Sequence, residues 1–158
     1  MKKLLLIRHA RATHESGYVD FERPLKTSGL HDAEIMAGRL NEIAFVPQLL
    51  ISSPALRTLS TANVFSQHLA VPKAEEVPGI YDADEDELVE IVKQLPDKYE
   101  FIALVGHNPG ISQLLYYLTG QMQEMPTCGV AVIEFKANSW NTINRDSGKL
   151  LYYDYPKD

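Results

Sequence analysis

The chain has 158 residues, of which 45% are hydrophobic and 23% charged, and a formal net charge of -6 at pH 7. That length suits a single domain over residues 1–158 with a full core and leaves no room for a comfortable second one, and the composition is that of an ordinary soluble globular protein. The acidic balance argues against a nucleic-acid partner, which demands a concentrated positive surface, so any phosphate has to be held in a local cationic pocket.

One cysteine, Cys128, excludes an internal disulfide and fits a reducing, cytoplasmic setting. Lys2-Lys3 followed by four apolar residues is too short for a signal peptide, because Arg8 ends the run. No stretch reaches the length of a membrane-spanning helix, so no membrane partner is expected.

In chain order, Leu4 to Ile7 is an unbroken apolar run of strand length, as expected of a strand covered on both faces in a mostly parallel sheet. It stops on Arg8-His9, at the carboxyl end where open α/β sheets form their ligand crevice. Arginine offers planar, permanently charged donors for phosphate oxygens. A neutral histidine can act as a nucleophile. The pair suggests a phosphatase working through a phosphohistidine.

The polar loop from Thr13 to Pro24 is long enough to be functional, and Asp20 and Arg23 on it can reach the crevice. From Thr27 or Ser28, the apolar residues Leu30, Ala33, Met36, Ala37, Leu40 and Ile43 recur at three and four, predicting an amphipathic scaffold helix with a Thr/Ser cap. Leu49 to Ser52 predicts a second strand, followed by Ser53 as cap and Pro54 as first helical residue. Arg57 then falls on the first turn, where backbone N–H groups already attract anions. Leu56, Leu59, Ala62, Phe65 and Leu69 form that helix's expected buried stripe.

Beyond Pro78-Gly79, the acidic run Asp82 to Glu87 reads as the start of a helix with a core face of Leu88, Ile91, Val92 and Leu95. Only Asp82 among these carboxylates has a claim to the site. Phe101 to Val105 is another apolar strand, ending in Gly106-His107, with Asn108 as cap and Pro109 opening the next helix. Gly129 to Phe135 predicts a strand, and Trp140–Ile143 with Leu150–Tyr155 an antiparallel pair that closes one edge. The expected fold is α/β, a three-layer α/β/α arrangement with a mostly parallel central sheet and an antiparallel edge near the C-terminus.

Three apolar strands thus end in basic residues, at Arg8-His9, near Arg57 and at His107, and a parallel sheet gathers such ends in one crevice. The segments LIRHARA, DFERPLKTSG, SSPALRT, GHNP and MPTCG resemble the histidine phosphatase superfamily, and its small SixA-type phosphohistidine phosphatases in particular. The resemblance implies that His9 takes the phosphoryl group while Arg8, Arg57 and His107 bind its oxygens, with no cofactor and no metal required. A phosphoryl group in flight spreads charge over its oxygens, so two arginines and a histidine suit it.

Only 50 positions separate Arg57 from His107, without the long insertion of phosphoglycerate mutase-like relatives. An open site favours a phosphorylated protein, such as a phosphotransfer domain bearing phosphohistidine, over a small phosphorylated substrate. No glutamate acid is recognisable. Asp20, in the D-x-x-R-P-L pattern, is the favoured carboxylate for activating water or assisting departure, with Asp82 as the other candidate, although Arg23 can instead pair with Asp20. A phosphohistidine substrate asks little of an acid, because imidazole is protonated near pKa 6.5. The alternatives are a small-molecule phosphomonoesterase and a non-catalytic phosphate-binding module. Other phosphatase signatures are missing: Cys128 lacks the arginine five residues on, no phosphate-binding G-x-x-x-x-G-K-[ST] loop occurs, and the five histidines have no metal-ligand spacing.

Overall fold

Alternation along the first strand already divides the molecule into two cores. In the computed structural model, which describes residues 1–157, β1 (Lys2–Arg8) sends Leu4 and Leu6 into one apolar cluster and Leu5 and Ile7 into another. All four are fully buried. The chain continues through α1 (Thr27–Glu42), β2 (Leu49–Ser52), α2 (Leu56–Leu69), β3 (Glu75–Glu76), α3 (Glu85–Lys93), β4 (Phe101–Gly106), α4 (Gly110–Thr119), β5 (Val130–Phe135) and β6 (Gly148–Asp154).

The six strands form one sheet in the order β3-β2-β4-β1-β5-β6. The β3-β2, β2-β4 and β4-β1 pairs are parallel, whereas β1-β5 and β5-β6 are antiparallel. Helices α1 and α2 cover one face through Ala33, Met36, Leu40, Ala62 and Phe65. Helices α3 and α4 cover the other through Leu88, Val92, Leu114 and Leu118. The three-layer α/β/α architecture with a C-terminal antiparallel edge is therefore the one observed. Burying a side chain such as Leu114 or Phe65 contributes about 1.5–3 kcal/mol, and the sheet sits between two such layers.

Register sets where the chemistry emerges. Arg8 lies opposite Gly106, and Ser52 opposite Val105, so the carboxyl ends of β1, β4 and β2 finish at one level. The ladder continues one step past the strands, with His9 N–H donating to Gly106 O at 3.1 Å and Ser53 N–H to Val105 O at 3.2 Å.

Several local expectations are corrected. Trp140–Ile143 is not a strand: Trp140–Thr142 is a single 3-10 turn, and of the two segments expected to form the edge pair only the later one, in β6, is a strand, paired with β5. The Trp140 backbone N–H goes to an Asp97 carboxylate oxygen at 2.9 Å and its indole N–H to Tyr99 O at 3.0 Å, bonds that tie it away from a ladder. The cap of α1 is Lys26, without a side-chain bond, rather than Thr27 or Ser28. Helix α2 starts at Leu56 with Ala55 as cap, two residues later than Ser53-Pro54 suggests, and α4 starts at Gly110 behind Pro109.

Leu30, Ile43 and Leu56 are exposed rather than buried. At Leu30 the reason is Gly29, which takes the inward position beside the Arg11 backbone. Ile43 follows the last turn of α1, and Leu56 yields the inward face of α2 to Arg57 and Thr58. The acidic start of α3 is as expected and closes with a capping box between Asp84 and Glu87.

Two glycines of α1 give opposite expectations. A Cβ at Gly29 would collide with Arg11 O, whereas one at Gly38 would meet nothing. Gly29→Ala should lose about 1–3 kcal/mol in urea unfolding, as overpacking does, and Gly38→Ala should gain up to about 1 kcal/mol from helix propensity. Equal effects at the two positions would contradict the packing of α1 on the Arg11 backbone.

Candidate active site

Three strand ends at one level deliver His9 from β1, Ser53 from β2 and His107 from β4, while α2 adds Arg57 from its first turn. The rings of His9 and His107 lie 5.5 Å apart between centroids. Arg8, His9, Arg57, His107 and Asp20 all line one cavity of about 770 Å3, and Asp82 reaches it too. The structure thus brings together every residue singled out from sequence.

The orientation of His9 follows from a local bond. Its Nδ1 lies 2.8 Å from the carbonyl of Ala10, so Nδ1 carries the proton and donates. Nε2 is left with the lone pair. The accepting residue is itself held, because Ala10 N–H donates to Thr61 Oγ1 at 2.9 Å and that hydroxyl donates to Arg57 O at 2.7 Å. Cys128 N–H sits against Arg8 O and His9 O at 3.1 and 3.0 Å, locking the turn from behind. Cys128 is wholly buried, with its thiol pushed far up by desolvation, and is no nucleophile.

Electrostatics keep both imidazoles neutral. Burial brings His9 down to about 4, against the pull of its bond to Ala10 and with help from the charges of Arg57 and Arg8. Burial, then Arg57, brings His107 down to about 3. The Nε2 of His107 is 2.7 Å from Ser53 Oγ. Its Nδ1, together with the Nε atoms of Arg8 and Arg57, is buried without a protein partner, an uncommon state for polar atoms and one that an incoming anion with several acceptor oxygens can relieve.

Asp20 has a different setting from the one an acid needs. Its carboxylate takes Arg57 Nη2 at 3.1 Å, Arg23 Nε at 3.2 Å and the Tyr81 hydroxyl at 2.7 Å, and its main-chain oxygen takes Arg57 Nη1 at 2.7 Å. The Tyr81 bond above all, with Arg57 and Arg23, holds it down to about 2 against the opposing cost of burial. It is an anion at neutral pH, and the pairing with Arg23 is the one realised. Asp82 is exposed at the rim with a left-handed backbone, φ 57°.

Sequence reasoning missed Ser53 as a partner of His107, Thr61 as the support of Ala10, and Tyr81. The Tyr81 ring meets His107 edge-on at 5.6 Å and Phe21 at 5.1 Å, tying the Asp20 loop to β4. Ser53 stood in the S-P-x-x-R motif and was read as a cap. Thr61 and Tyr81 carried no signal of their own. Among the described residues, no group of three or more His, Cys, Asp or Glu is placed to hold a metal ion. No helix among them is long and apolar enough to cross a membrane.

A family model described as the histidine phosphatase superfamily (branch 1) matches residues 4–87. An uncharacterized chloroplastic protein of Arabidopsis thaliana is 28% identical over 93% of this chain and 72% of its own length. Among solved structures, a candidate phosphohistidine phosphatase SixA of Agrobacterium tumefaciens superposes with a TM-score of 0.85 at 24% identity, covering 98% of both chains. The protein histidine phosphatase SixA in complex with tungstate superposes at 0.82 and 21% identity, over 97% of this chain and 96% of that one. Both share the fold.

The buried imidazoles have a measurable consequence. Between about pH 4 and the ordinary histidine value near 6.5 the unfolded chain holds a proton on His9 that the folded chain lacks, so stability rises with pH in that window and is lost as pH falls. The loss from this residue is on the order of 3 kcal/mol. In NMR titration the His9 ring should keep its neutral, Nδ1-protonated signature down to about pH 4. In urea unfolding, the loss between pH 7 and pH 4.5 should be smaller for His9→Gln than for wild type. Titration of His9 near 6.5 would overturn the burial argument.

Proposed function

Since the chain belongs to the histidine phosphatase superfamily, we propose that it is a phosphatase that hydrolyses phosphohistidine in a phosphorylated protein, through a phosphoryl group carried on His9. The observation that supports this most directly is the orientation of His9. Nδ1 is spent on Ala10 O, and the ring is neutral at working pH, so Nε2 is an available nucleophile facing a cavity lined by cations.

In the first step the Nε2 lone pair forms a bond to phosphorus as the P–N bond to the substrate imidazole breaks. The electron pair leaves on that imidazole, which takes up a proton. In the second step a water oxygen attacks phosphorus, the P–Nε2 bond breaks, and phosphate departs with the proton of the water released to solvent. Arg8, Arg57 and His107 hold the equatorial oxygens and meet the charge that develops on them. No metal enters this scheme.

Asp20 in this reading orients Arg57 and Arg23. Its carboxylate is fully ionised, which leaves it without a proton for a leaving alkoxide. That electrostatic state favours an imidazole leaving group over an alcohol, and hence phosphohistidine over an ordinary phosphomonoester. The single buried cysteine is in keeping with a reducing, cytoplasmic setting.

Wild-type protein should release phosphate from a phosphotransfer domain phosphorylated on histidine, and His9→Ala should not. Arg57→Ala should lose roughly 10²-fold in kcat, the scale set by removing one oxyanion donor. Brief quenching of turnover with a radiolabelled substrate should leave an acid-labile, base-stable label on His9. Undiminished turnover by His9→Ala would end the mechanism.

A further inference from the structure

The cavity is larger than its chemistry requires. At about 770 Å3 it falls in the range of pockets that enclose a whole organic ligand, while the phosphoryl group needs only the corner between His9, His107, Arg8 and Arg57. The rest of the lining is not neutral. Arg11 and Lys26 stand on its wall, in a chain whose net charge is -6.

These two cations are placed by backbone, not by chance exposure. Residues 11–13 and 24–26 run as a short antiparallel ribbon, with Ala12 bridged to Leu25, Lys26 N–H donating to Arg11 O at 2.9 Å and Thr13 N–H to Pro24 O at 2.9 Å. Gly29 lets the first turn of α1 press directly on Arg11, so the ribbon is clamped to a helix of 16 residues. Arg11 Nε is steadied by Asp32 at 3.6 Å, and the side chain remains 45% exposed. Lys26 is exposed as the cap of α1 and, among the described residues, meets no carboxylate in an ion pair. The carboxylates of the cavity, Asp20 and Asp82, belong to other segments, and Asp20 is already saturated by Arg57, Arg23 and Tyr81.

From this geometry we propose that Arg11 and Lys26 form a second anion subsite, which selects substrates carrying a negatively charged group in addition to the phosphoryl group on His9. The inference rests on the phosphatase reading for its catalytic half but not for its binding half. A carboxylate or a second phosphoryl group satisfies it equally. It is borne either by acidic side chains beside a phosphorylated residue of a protein or by a small phosphorylated acid.

Binding and turnover test it separately. By calorimetry, wild-type protein should bind 6-phosphonohexanoate about tenfold more tightly than hexylphosphonate, and the Arg11→Gln/Lys26→Gln double variant should reduce that ratio to about twofold or less, the scale of two partly exposed ion pairs. Lys26→Glu alone should invert the preference. In turnover, a phosphohistidine peptide with glutamates flanking the phosphorylated residue should have a lower KM than its glutamine counterpart, with kcat alike, and the double variant should erase the difference. A preference in either pair that the variants abolish supports the subsite and identifies its source. Equal handling of both pairs by wild type, or a preference that survives in the double variant, overturns it. Failure of wild type to cleave either peptide while it discriminates between the phosphonates would refute the phosphatase reading and leave the subsite standing.

Discussion

The arrangement depends on one short hydrogen bond, from Nδ1 of His9 to the carbonyl of Ala10. A neutral imidazole has one donor and one acceptor nitrogen, and which is which decides whether it can attack phosphorus. Rotate or release the Ala10 carbonyl and the ring loses its assigned tautomer. The carbonyl is therefore braced from two sides, through Ala10 N–H to Thr61 on α2 and through the Cys128 N–H that grips Arg8 O and His9 O. Each brace comes from a different element, so the turn that carries His9 is defined only when β1, α2 and the segment before β5 have all assembled. Fold and chemistry are coupled at this point.

Around that turn, opposite demands are reconciled by charge placement. A nucleophile must stay deprotonated, and a phosphoryl group must meet positive charge. Burial disfavours a proton on His9 and His107, and the guanidinium of Arg57 adds to that effect while favouring an anion. Unopposed, the guanidinium groups of Arg57 and Arg23 would repel one another. Asp20 relieves this by bridging Arg57 and Arg23 from the loop, with Tyr81 bonded to the same carboxylate. The carboxylate tempers the field without entering the phosphate corner.

The parts of this site that are local in sequence were legible there. Arg8-His9, Arg57 and His107 each follow an apolar strand, and the strand-to-helix corner is a pattern of a few residues, so their convergence could be expected from sheet topology alone. The parts that are tertiary were not. Ser53 reads as a cap until β2 and β4 are seen to end side by side, which puts its hydroxyl 2.7 Å from His107. Tyr81 lies in a connection, and its importance comes from Asp20, 61 residues earlier. Trp140–Ile143 has the composition of a strand, but its N–H groups are claimed by Asp97 and a local turn, and composition carries no record of that competition. Leu30 failed for the opposite reason: helical periodicity placed it inward, and a close approach at Gly29 rotated the buried face past it.

The carboxylate that lacks a proton also bears on substrate choice. Departure of an alkoxide calls for an acid poised near neutral pH, and three donors hold Asp20 well below that, at about 2. Weakening those donors to raise its pKa would free Arg57 and Arg23 as uncompensated charges beside His9. The two requirements oppose each other, so a site built on this clamp gains a firmly oriented arginine at the expense of acid catalysis. It is suited to leaving groups that depart readily by themselves. An imidazole, which accepts a proton near neutrality from water, is such a group, in keeping with the proposed reaction, and the subsite inferred at Arg11 and Lys26 would add recognition of charge farther along the same wall.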